Sequence, residues 1–153
     1  MYLADEPLSW HWGFMSIVDT VSYALAQACK AHRNLIASQL DAHGLHPGQE
    51  QVLMHLWEQD GLTHSELVER CRVEAPTVSK TVQRMEALGV VGRRTDERDA
   101  RVSRVYLTEQ GRQLREPIER LWEQVDEISV AGLSAQERML LRRLLISVRE
   151  NLP

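Results

Sequence analysis

Residues 63–89 read THSELVERCRVEAPTVSKTVQRMEALG, and this stretch decides the fold. Thr63 and Glu66 have the spacing of a capping box, in which the hydroxyl and the carboxylate each accept a backbone amide at a helix start. After a short turn, Pro76 suits the first turn of a second helix, and Gly89 suits its end. The stretch therefore predicts two helices joined by a tight turn.

The second helix has an apolar face and a polar face. At about 100° per residue, Val78, Val82 and Met85 share one side and are predicted to face the core. The opposite side consists of Pro76, Thr77, Lys80, Gln83, Arg84 and Ala87. A small polar start followed by cations is typical of a helix that reads base edges and holds phosphates, but an ordinary solvated face has a similar composition.

A charged stretch lies between two strand-like segments just after this helix. Residues 93–101 read RRTDERDAR, with four arginines and three acidic residues among nine. The flanking apolar residues predict strands at about 90–95 and 102–107. The charged stretch is either a solvated turn or the tip of a hairpin whose arginines reach phosphates and a narrow groove. Helix, turn, helix and hairpin in this order predict a winged helix-turn-helix.

Long amphipathic segments flank this centre. Helices predicted at about 11–43 and 108–131 carry apolar residues at alternating intervals of four and three, as in helices that pack lengthwise. The first seam is Phe14, Val18, Val21, Leu25, Ala28, His32 and Leu35, and the second is Leu114, Ile118, Leu121, Val125 and Ile128. Pro117 predicts a kink in the second helix. A small winged core cannot cover seams of this length, so we expect a second copy of the chain to pack on them.

The last helix begins with another capping box, Ser134 to Glu137. It is predicted to bury Leu141, Leu144, Leu145 and Val148. The predicted fold class is mainly α with a small β-hairpin wing. We expect a single domain over residues 1–153, in which a winged helix-turn-helix lobe at about 47–111 is flanked by dimerisation helices at about 1–46 and 112–153.

Charge is distributed unevenly along the chain. The net charge is −4, which by itself disfavours a nucleic-acid-binding protein. Residues 70–104, however, hold nine Lys/Arg and five Asp/Glu and carry +4, whereas the remainder, with nine and seventeen, carries −8. This asymmetry indicates a basic working face on an acidic body.

Several function classes find no support in the sequence. The start MYLADEP lacks the features of a signal peptide, and no apolar run is long enough to span a bilayer. Cys29 and Cys71 lie far apart, which suits a reduced, cytoplasmic location. No nucleophile motif, Gly-rich phosphate loop or paired-carboxylate signature is present, so we expect neither an enzyme nor a cofactor. His43 and His46 straddle a helix break, and a metal site there lacks further ligands.

The segment over residues 61–111 resembles the DNA-binding core of the MarR/SlyA family of bacterial transcription regulators. It carries the family's threonine-capped helix, the motif R-x-E-x-x-G ending at Gly89, the wing motif D-x-R-D-x-R at 96–101, and L-T-x-x-G ending at Gly111. The flanking helices match in order and length. The resemblance implies a homodimer that binds a pseudo-palindromic promoter site in double-stranded DNA, usually as a repressor released by a small molecule or an oxidant.

The resemblance also implies roles for individual residues. The implied DNA-binding residues are Pro76, Thr77, Lys80, Arg84, Arg98, Asp99 and Arg101. Arg101 is expected in or beside the minor groove, with its guanidinium held by Asp99 through charge-assisted hydrogen bonds. Asp96 and Arg98 are expected to form a second such pair at the wing tip. The alternative for these residues is a solvated charged turn.

Relatives in this family usually bind ligands between the dimer helices and the DNA-binding lobe. A phenolic or other aromatic effector is therefore implied, with Tyr23, His32, Met54 and Trp57 as pocket candidates. The alternative for His32, which interrupts an apolar seam, is a core or interface histidine. Some relatives sense peroxide through a cysteine near the start of the first helix. Cys29 lies deeper than that position, so two buried structural thiols are predicted, with an oxidant sensor at Cys29 as the alternative.

Two other classes remain as rivals of a DNA-binding regulator. One is a winged-helix protein-interaction module whose basic face meets an acidic partner. The other is a helical enzyme, for which the sequence offers no site residues. A DNA-binding protein is distinguished from both by a steep fall of its affinity for duplex DNA as the salt concentration rises.

Overall fold

The computed structural model describes residues 16–152, which form seven α-helices, three short strands and one 3₁₀ turn (Ile17–Asp19). The helices are α1 (Val21–Asp41), α2 (Gln49–Glu58), α3 (His64–Cys71), α4 (Ala75–Ala87), α5 (Glu109–Gln113), α6 (Arg115–Ser129) and α7 (Ala135–Glu150). The strands are β1 (Leu62–Thr63), β2 (Val91–Thr95) and β3 (Ser103–Leu107). Across residues 16–152, no helix has the length and hydropathy that crossing a bilayer requires.

The three strands form one antiparallel sheet in the order β1–β3–β2. β2 and β3 make the predicted hairpin, with Arg94 opposite Arg104. β1 pairs with β3 through Leu62 opposite Val105, and the sequence analysis does not predict it. A two-residue strand has no periodicity of its own, so only its pairing with β3 reveals it. β1 attaches the hairpin to the start of α3.

The hydrophobic core holds α3 and α4 in a helix-turn-helix arrangement. Val78, Val82 and Met85 of α4 are at most 1% exposed, which confirms the predicted inner face. The capping box of α3 is also confirmed, because the Thr63 hydroxyl accepts the Glu66 amide and the Glu66 carboxylate accepts the Thr63 amide. Between the two helices the backbone turns at Arg72, whose φ of 52° lies in the left-handed region and ends α3.

Gly111 allows α5 to pack directly against the base of the hairpin. A Cβ at this position would lie 2.0 Å from the carbonyl oxygen of Val90, so only glycine fits. Thr108 caps α5 by accepting the Gly111 amide at 3.1 Å, and its hydroxyl donates to the Gly89 carbonyl at 2.6 Å. The Trp57 indole donates to the Gly111 carbonyl at 3.0 Å. These contacts fix the base of the hairpin against α2.

The two long helices of the prediction are interrupted. Thr20 caps α1, so the helix predicted from about residue 11 begins at Val21, and Phe14 lies outside the described residues. The helix predicted at about 108–131 is two helices, α5 and α6, separated at Leu114. The break lies one turn before Pro117, which has no N–H to donate to the carbonyl one turn earlier.

The apolar seams differ in what covers them. In α6, Ile118, Leu121 and Val125 are at most 3% exposed, so this part of the seam is covered by the same chain, whereas Ile128 at its end is 55% exposed. Val18 before α1 and Val21 within it are 57% and 79% exposed. The predicted burial of Leu141, Leu144, Leu145 and Val148 is wrong for the single chain, because no residue of α7 is buried. Periodicity shows that a helix has an apolar face but does not show what packs on it.

Candidate nucleic-acid interface

The outer face of α4 presents the side chains that the sequence singles out. Pro76, Thr77, Lys80 and Arg84 are all exposed. The opposite face anchors the helix in the core through Val78, and Pro76 lies in its first turn. The first turn of α4 is therefore free to meet another surface, with Lys80 and Arg84 following along the helix.

One contact between α3 and α4 was missed by the sequence analysis. Nε2 of His64 lies 2.9 Å from Oγ of Ser79, and both residues are near the exposed side of the helix pair. The two residues are fifteen positions apart, so no local pattern could have paired them. This hydrogen bond links the start of α3 to the first turns of α4.

The carboxylates of the wing loop hold backbone amides. Oδ1 of Asp96 accepts the amides of Arg98 and Asp99 at 2.8 and 3.1 Å, and Oδ1 of Asp99 accepts the Arg101 amide at 2.9 Å. The expected pairing of Asp99 with the Arg101 guanidinium, and of Asp96 with that of Arg98, is therefore wrong for this structure. An aspartate readily accepts the amide two residues ahead, which closes a tight turn and leaves the guanidinium free.

The guanidinium that Asp96 does bind belongs to Arg104. Oδ2 of Asp96 lies 2.5 Å from Nε of Arg104, and Nη1 of Arg104 donates to the Gly61 carbonyl at 2.9 Å. The hydrogen bond from Arg104, followed by those from the loop amides, lowers the pKa of Asp96 to about 2. The same hydrogen bond raises the pKa of Arg104. Alternation along β3 places Arg104 on the outer face of the hairpin, and this is the signal that the sequence offered.

Most cations of the basic segment are free of carboxylate partners. Within residues 70–104, Arg93 pairs with Glu86 at 3.0 Å and Arg104 pairs with Asp96, and the other seven Lys/Arg form no ion pair with residues 16–152. These seven are Arg70, Arg72, Lys80, Arg84, Arg94, Arg98 and Arg101. The Arg94 guanidinium lies 5.1 Å from the centre of the Tyr106 ring, a cation–π contact that leaves its charge uncompensated. The free cations of α4 and the wing can therefore bind an anionic partner.

A cleft of about 510 Å³ lies between α2 and α6, away from this face. Its lining is Met54, Trp57, Glu58, Arg115, Ile118, Glu119, Trp122, Glu123 and Asp126. Of the predicted pocket residues, the structure brings Met54 and Trp57 together here. The His32 ring packs against Trp122 with centroids 6.1 Å apart, so His32 contacts a residue of the cleft without lining the cleft itself. Tyr23 is 37% exposed on α1 and does not line it.

The two cysteines lie in different environments. Cys29 is exposed on α1, so its predicted burial is wrong for the single chain. Cys71 is half-buried, and burial, followed by the charge of Glu50, raises the pKa of its thiol. Among residues 16–152, no group of three or more His, Cys, Asp or Glu side chains is placed to hold a metal ion.

The fold and its free cations define a winged helix-turn-helix of the DNA-binding class. A sequence model of the MarR family matches residues 43–102. The chain is 34% identical over 131 residues to the HTH-type transcriptional regulator TtmR of Methylorubrum extorquens. The aligned region covers 85% of this chain and 64% of that regulator, just under two thirds of the regulator's length. The segment over residues 43–102 therefore matches the MarR family, whose members are transcriptional regulators and not enzymes.

Solved structures show the same fold. The Bordetella bronchiseptica regulator BpsR, whose DNA binding is regulated by 6-hydroxynicotinic acid, has a TM-score of 0.84 at 24% identity, with 92% of this chain and 100% of that chain covered. MepR of S. aureus in complex with DNA has a TM-score of 0.80 at 24% identity, with 87% and 98% covered. At this identity the similarity concerns the fold.

Proposed function

We propose that the chain is a sequence-specific transcriptional repressor that binds a pseudo-palindromic promoter site as a homodimer in the cytoplasm and is released by a small molecule. The observation that carries this proposal is the set of free cations on α4 and the wing, five of the seven Lys/Arg within residues 70–104 that form no ion pair with residues 16–152. The solved MepR–DNA complex, which has the same fold, supports DNA as the partner.

On DNA, each part of this surface has its own role. The first turn of α4, with Pro76 and Thr77, enters the major groove near base edges, while Lys80 and Arg84 hold phosphates on either side. The wing reaches the minor groove with Arg98 and Arg101, whose charges are attracted by its negative potential. Asp99 acts on Arg101 through the backbone hydrogen bond that shapes the loop.

The dimer follows from the seams that the single chain leaves uncovered. Two groups of apolar side chains are 46% to 79% exposed. One group lies at the start of the described residues and consists of Ile17, Val18 and Val21, and the other lies on α7 and consists of Met139, Leu140, Leu144 and Leu145. Exposed apolar area of this extent marks an interaction surface. In this proposal residues 1–46 and 112–153 form the dimer, residues 47–111 form the DNA-binding lobe, and all belong to a single domain.

The effector site is the cleft between α2 and α6. Met54, Trp57 and Trp122 provide an apolar, aromatic surface that suits a phenolic or other aromatic molecule. The lining also contains four carboxylates, those of Glu58, Glu119, Glu123 and Asp126. These carboxylates favour a neutral or cationic ligand over an anionic one. The regulation of BpsR by 6-hydroxynicotinic acid supports a small aromatic ring as effector, although that acid is an anion at neutral pH and the carboxylates of this cleft favour an uncharged or cationic molecule.

A salt series on duplex DNA tests the proposed function. An operator is first selected with the protein from a random-sequence duplex library. The affinity of the protein for this operator is then measured at salt concentrations from about 50 to about 200 mM, which differ about fourfold. If Lys80, Arg84, Arg98 and Arg101 of both protomers contact phosphates, log affinity should fall with log salt with a slope on the order of −7. Lys80→Ala should reduce this slope by about 2 per dimer. A flat slope would instead favour the protein-interaction module.

Oxidant sensing through Cys29 is a second candidate, favoured by the exposure of this thiol. It predicts that mild peroxide reversibly abolishes operator binding by the wild-type protein and spares the Cys29→Ala variant. Cys71→Ala is the matched control, since its thiol is half-buried with a raised pKa and should not respond. We expect wild-type binding to withstand peroxide, because Cys29 lies deeper in the first helix than the cysteine through which some relatives sense peroxide. Peroxide-sensitive binding that requires Cys29 would contradict the small-molecule proposal.

A further inference from the structure

The carboxylate of Asp96 joins the wing loop to the outer face of the hairpin. One oxygen accepts the amides of Arg98 and Asp99, and the other accepts Nε of Arg104 at 2.5 Å. The Asp96 side chain is only 13% exposed, the lowest exposure among the wing's ion-paired side chains. The conformation of the loop is thereby tied to the position of Arg104.

Arg104 in turn reaches the helix-turn-helix. Its Nη1 donates to the Gly61 carbonyl at 2.9 Å and lies 3.8 Å from the Glu66 carboxylate. Gly61 directly precedes β1, and Glu66 belongs to the capping box of α3. From α3 the His64–Ser79 hydrogen bond continues to α4. Polar contacts therefore join the wing loop to the start of α3, and a separate hydrogen bond joins α3 to α4.

We propose that Arg104 is a positioning residue for DNA binding, a role that rests on the proposed function. By holding Asp96 and the Gly61 carbonyl with one guanidinium, it sets the wing tip relative to α3 and α4. The wing and α4 must reach a minor groove and the adjacent major groove at the same time. A wing already held in place loses less conformational freedom on binding than one that pivots.

Direct contact between Arg104 and a phosphate is the competing role, and Asp96→Asn separates the two. Asparagine keeps an oxygen that can accept the loop amides, but its NH₂ group cannot accept from Arg104. If Arg104 touched phosphate, releasing it from Asp96 and removing a negative charge would tighten binding. If Arg104 positions the wing, Asp96→Asn weakens binding despite the favourable change of charge.

The first arm of the experiment uses the free protein. Backbone ¹⁵N relaxation is measured for residues 97–102 in the wild type, in Arg104→Gln and in Arg93→Gln. Arg93→Gln is the matched control, because it removes one charge and one ion pair, that with Glu86, from the same hairpin. In Arg104→Gln the order parameters of the loop should fall from about 0.85 to below about 0.6, and in Arg93→Gln they should stay high.

The second arm measures affinity for the selected operator. Arg104→Gln, Arg104→Lys and Asp96→Asn should each weaken binding about tenfold relative to Arg93→Gln, at similar thermal unfolding midpoints. Lysine keeps the charge but lacks the fork that spans two acceptors. The loss caused by Arg101→Ala should be smaller in the Arg104→Gln background, because a wing that is no longer held in place gains less from Arg101.

The outcomes separate this inference from the proposed function. Failure of the wild-type protein to bind any duplex would overturn the proposed function, and the relaxation arm alone would then decide whether Arg104 holds the wing. An unchanged loop in Arg104→Gln, tighter binding by Asp96→Asn, or strictly additive losses for Arg101 and Arg104 would each overturn the positioning role.

Discussion

Replacing Leu144 and Leu145 together by glutamate should convert the protein from a dimer into a monomer and weaken operator binding by more than about 100-fold. The two leucines are 48% and 46% exposed in the single chain, so a partner has apolar area to cover. Four half-buried leucines across a symmetric interface contribute roughly 3–6 kcal/mol, at about 1.5–3 kcal/mol for each fully buried side chain. Glutamate at these positions would also place charges in that interface.

Light scattering at micromolar concentration checks this result. The wild-type protein should have twice the chain mass of 17.6 kDa, and the double variant should have the chain mass. Gln136→Glu, which adds a charge at an exposed position in the first turn of the same helix, should remain dimeric. A wild-type protein that is a well-behaved monomer, or a double variant that binds the operator normally, would show that α7 does not form the dimer.

Arg101→Ala should weaken operator binding by about 1–3 kcal/mol per dimer arm, an effect comparable to that of the leucine pair. The Arg101 side chain is exposed, and its guanidinium pairs with no carboxylate within residues 16–152. Its attraction to a groove depends on the groove's width and potential, so the loss should be largest on operators with A·T-rich flanks. Arg120→Ala is the matched control, because it removes the same charge from α6, where Arg120 pairs with Glu116.

Asp99→Ala should reproduce part of the Arg101 loss, although it removes a negative charge. The Asp99 carboxylate accepts the Arg101 amide at 2.9 Å and so shapes the backbone from which Arg101 projects. Simple charge counting predicts the opposite sign, namely tighter binding. The measurement is the affinity of both variants for one operator and for a flank-exchanged operator at two salt concentrations. Tighter binding by Asp99→Ala together with a neutral Arg101→Ala would show that the wing is a solvated turn.

For interactions between residues close together in the sequence, both partners could be predicted. The capping boxes at Thr63 and Ser134 join residues three positions apart, so spacing identifies both members. The inner face of α4 follows from the period of one helix. The exposed Lys80 and Arg84 are then predicted by exclusion, because residues on the opposite side of that helix cannot face the same core.

The partners of the wing carboxylates could not be predicted in this way. The sequence analysis gave Asp96 and Asp99 the nearest arginine side chains, whereas the structure gives both the nearby amides and pairs Asp96 with Arg104, eight residues away. That partner depends on the register of the hairpin, and the Gly61 carbonyl, 43 residues from Arg104, depends on β1 joining the sheet. Neither register nor strand order is a property of any short stretch of sequence.

The sequence by itself determined which helix faces are apolar, where the helix-turn-helix and its hairpin lie, and which segment carries an excess of positive charge. These features depend on residue type and on spacings within a few turns of chain. Only the tertiary structure decided that Ile118, Leu121 and Val125 of the α6 seam are covered by the same chain, that α7 and Cys29 are left exposed, and that Arg104 connects the wing to α3. Burial and long-range hydrogen bonds depend on which elements meet, and periodicity describes the surface of an element without specifying its neighbour.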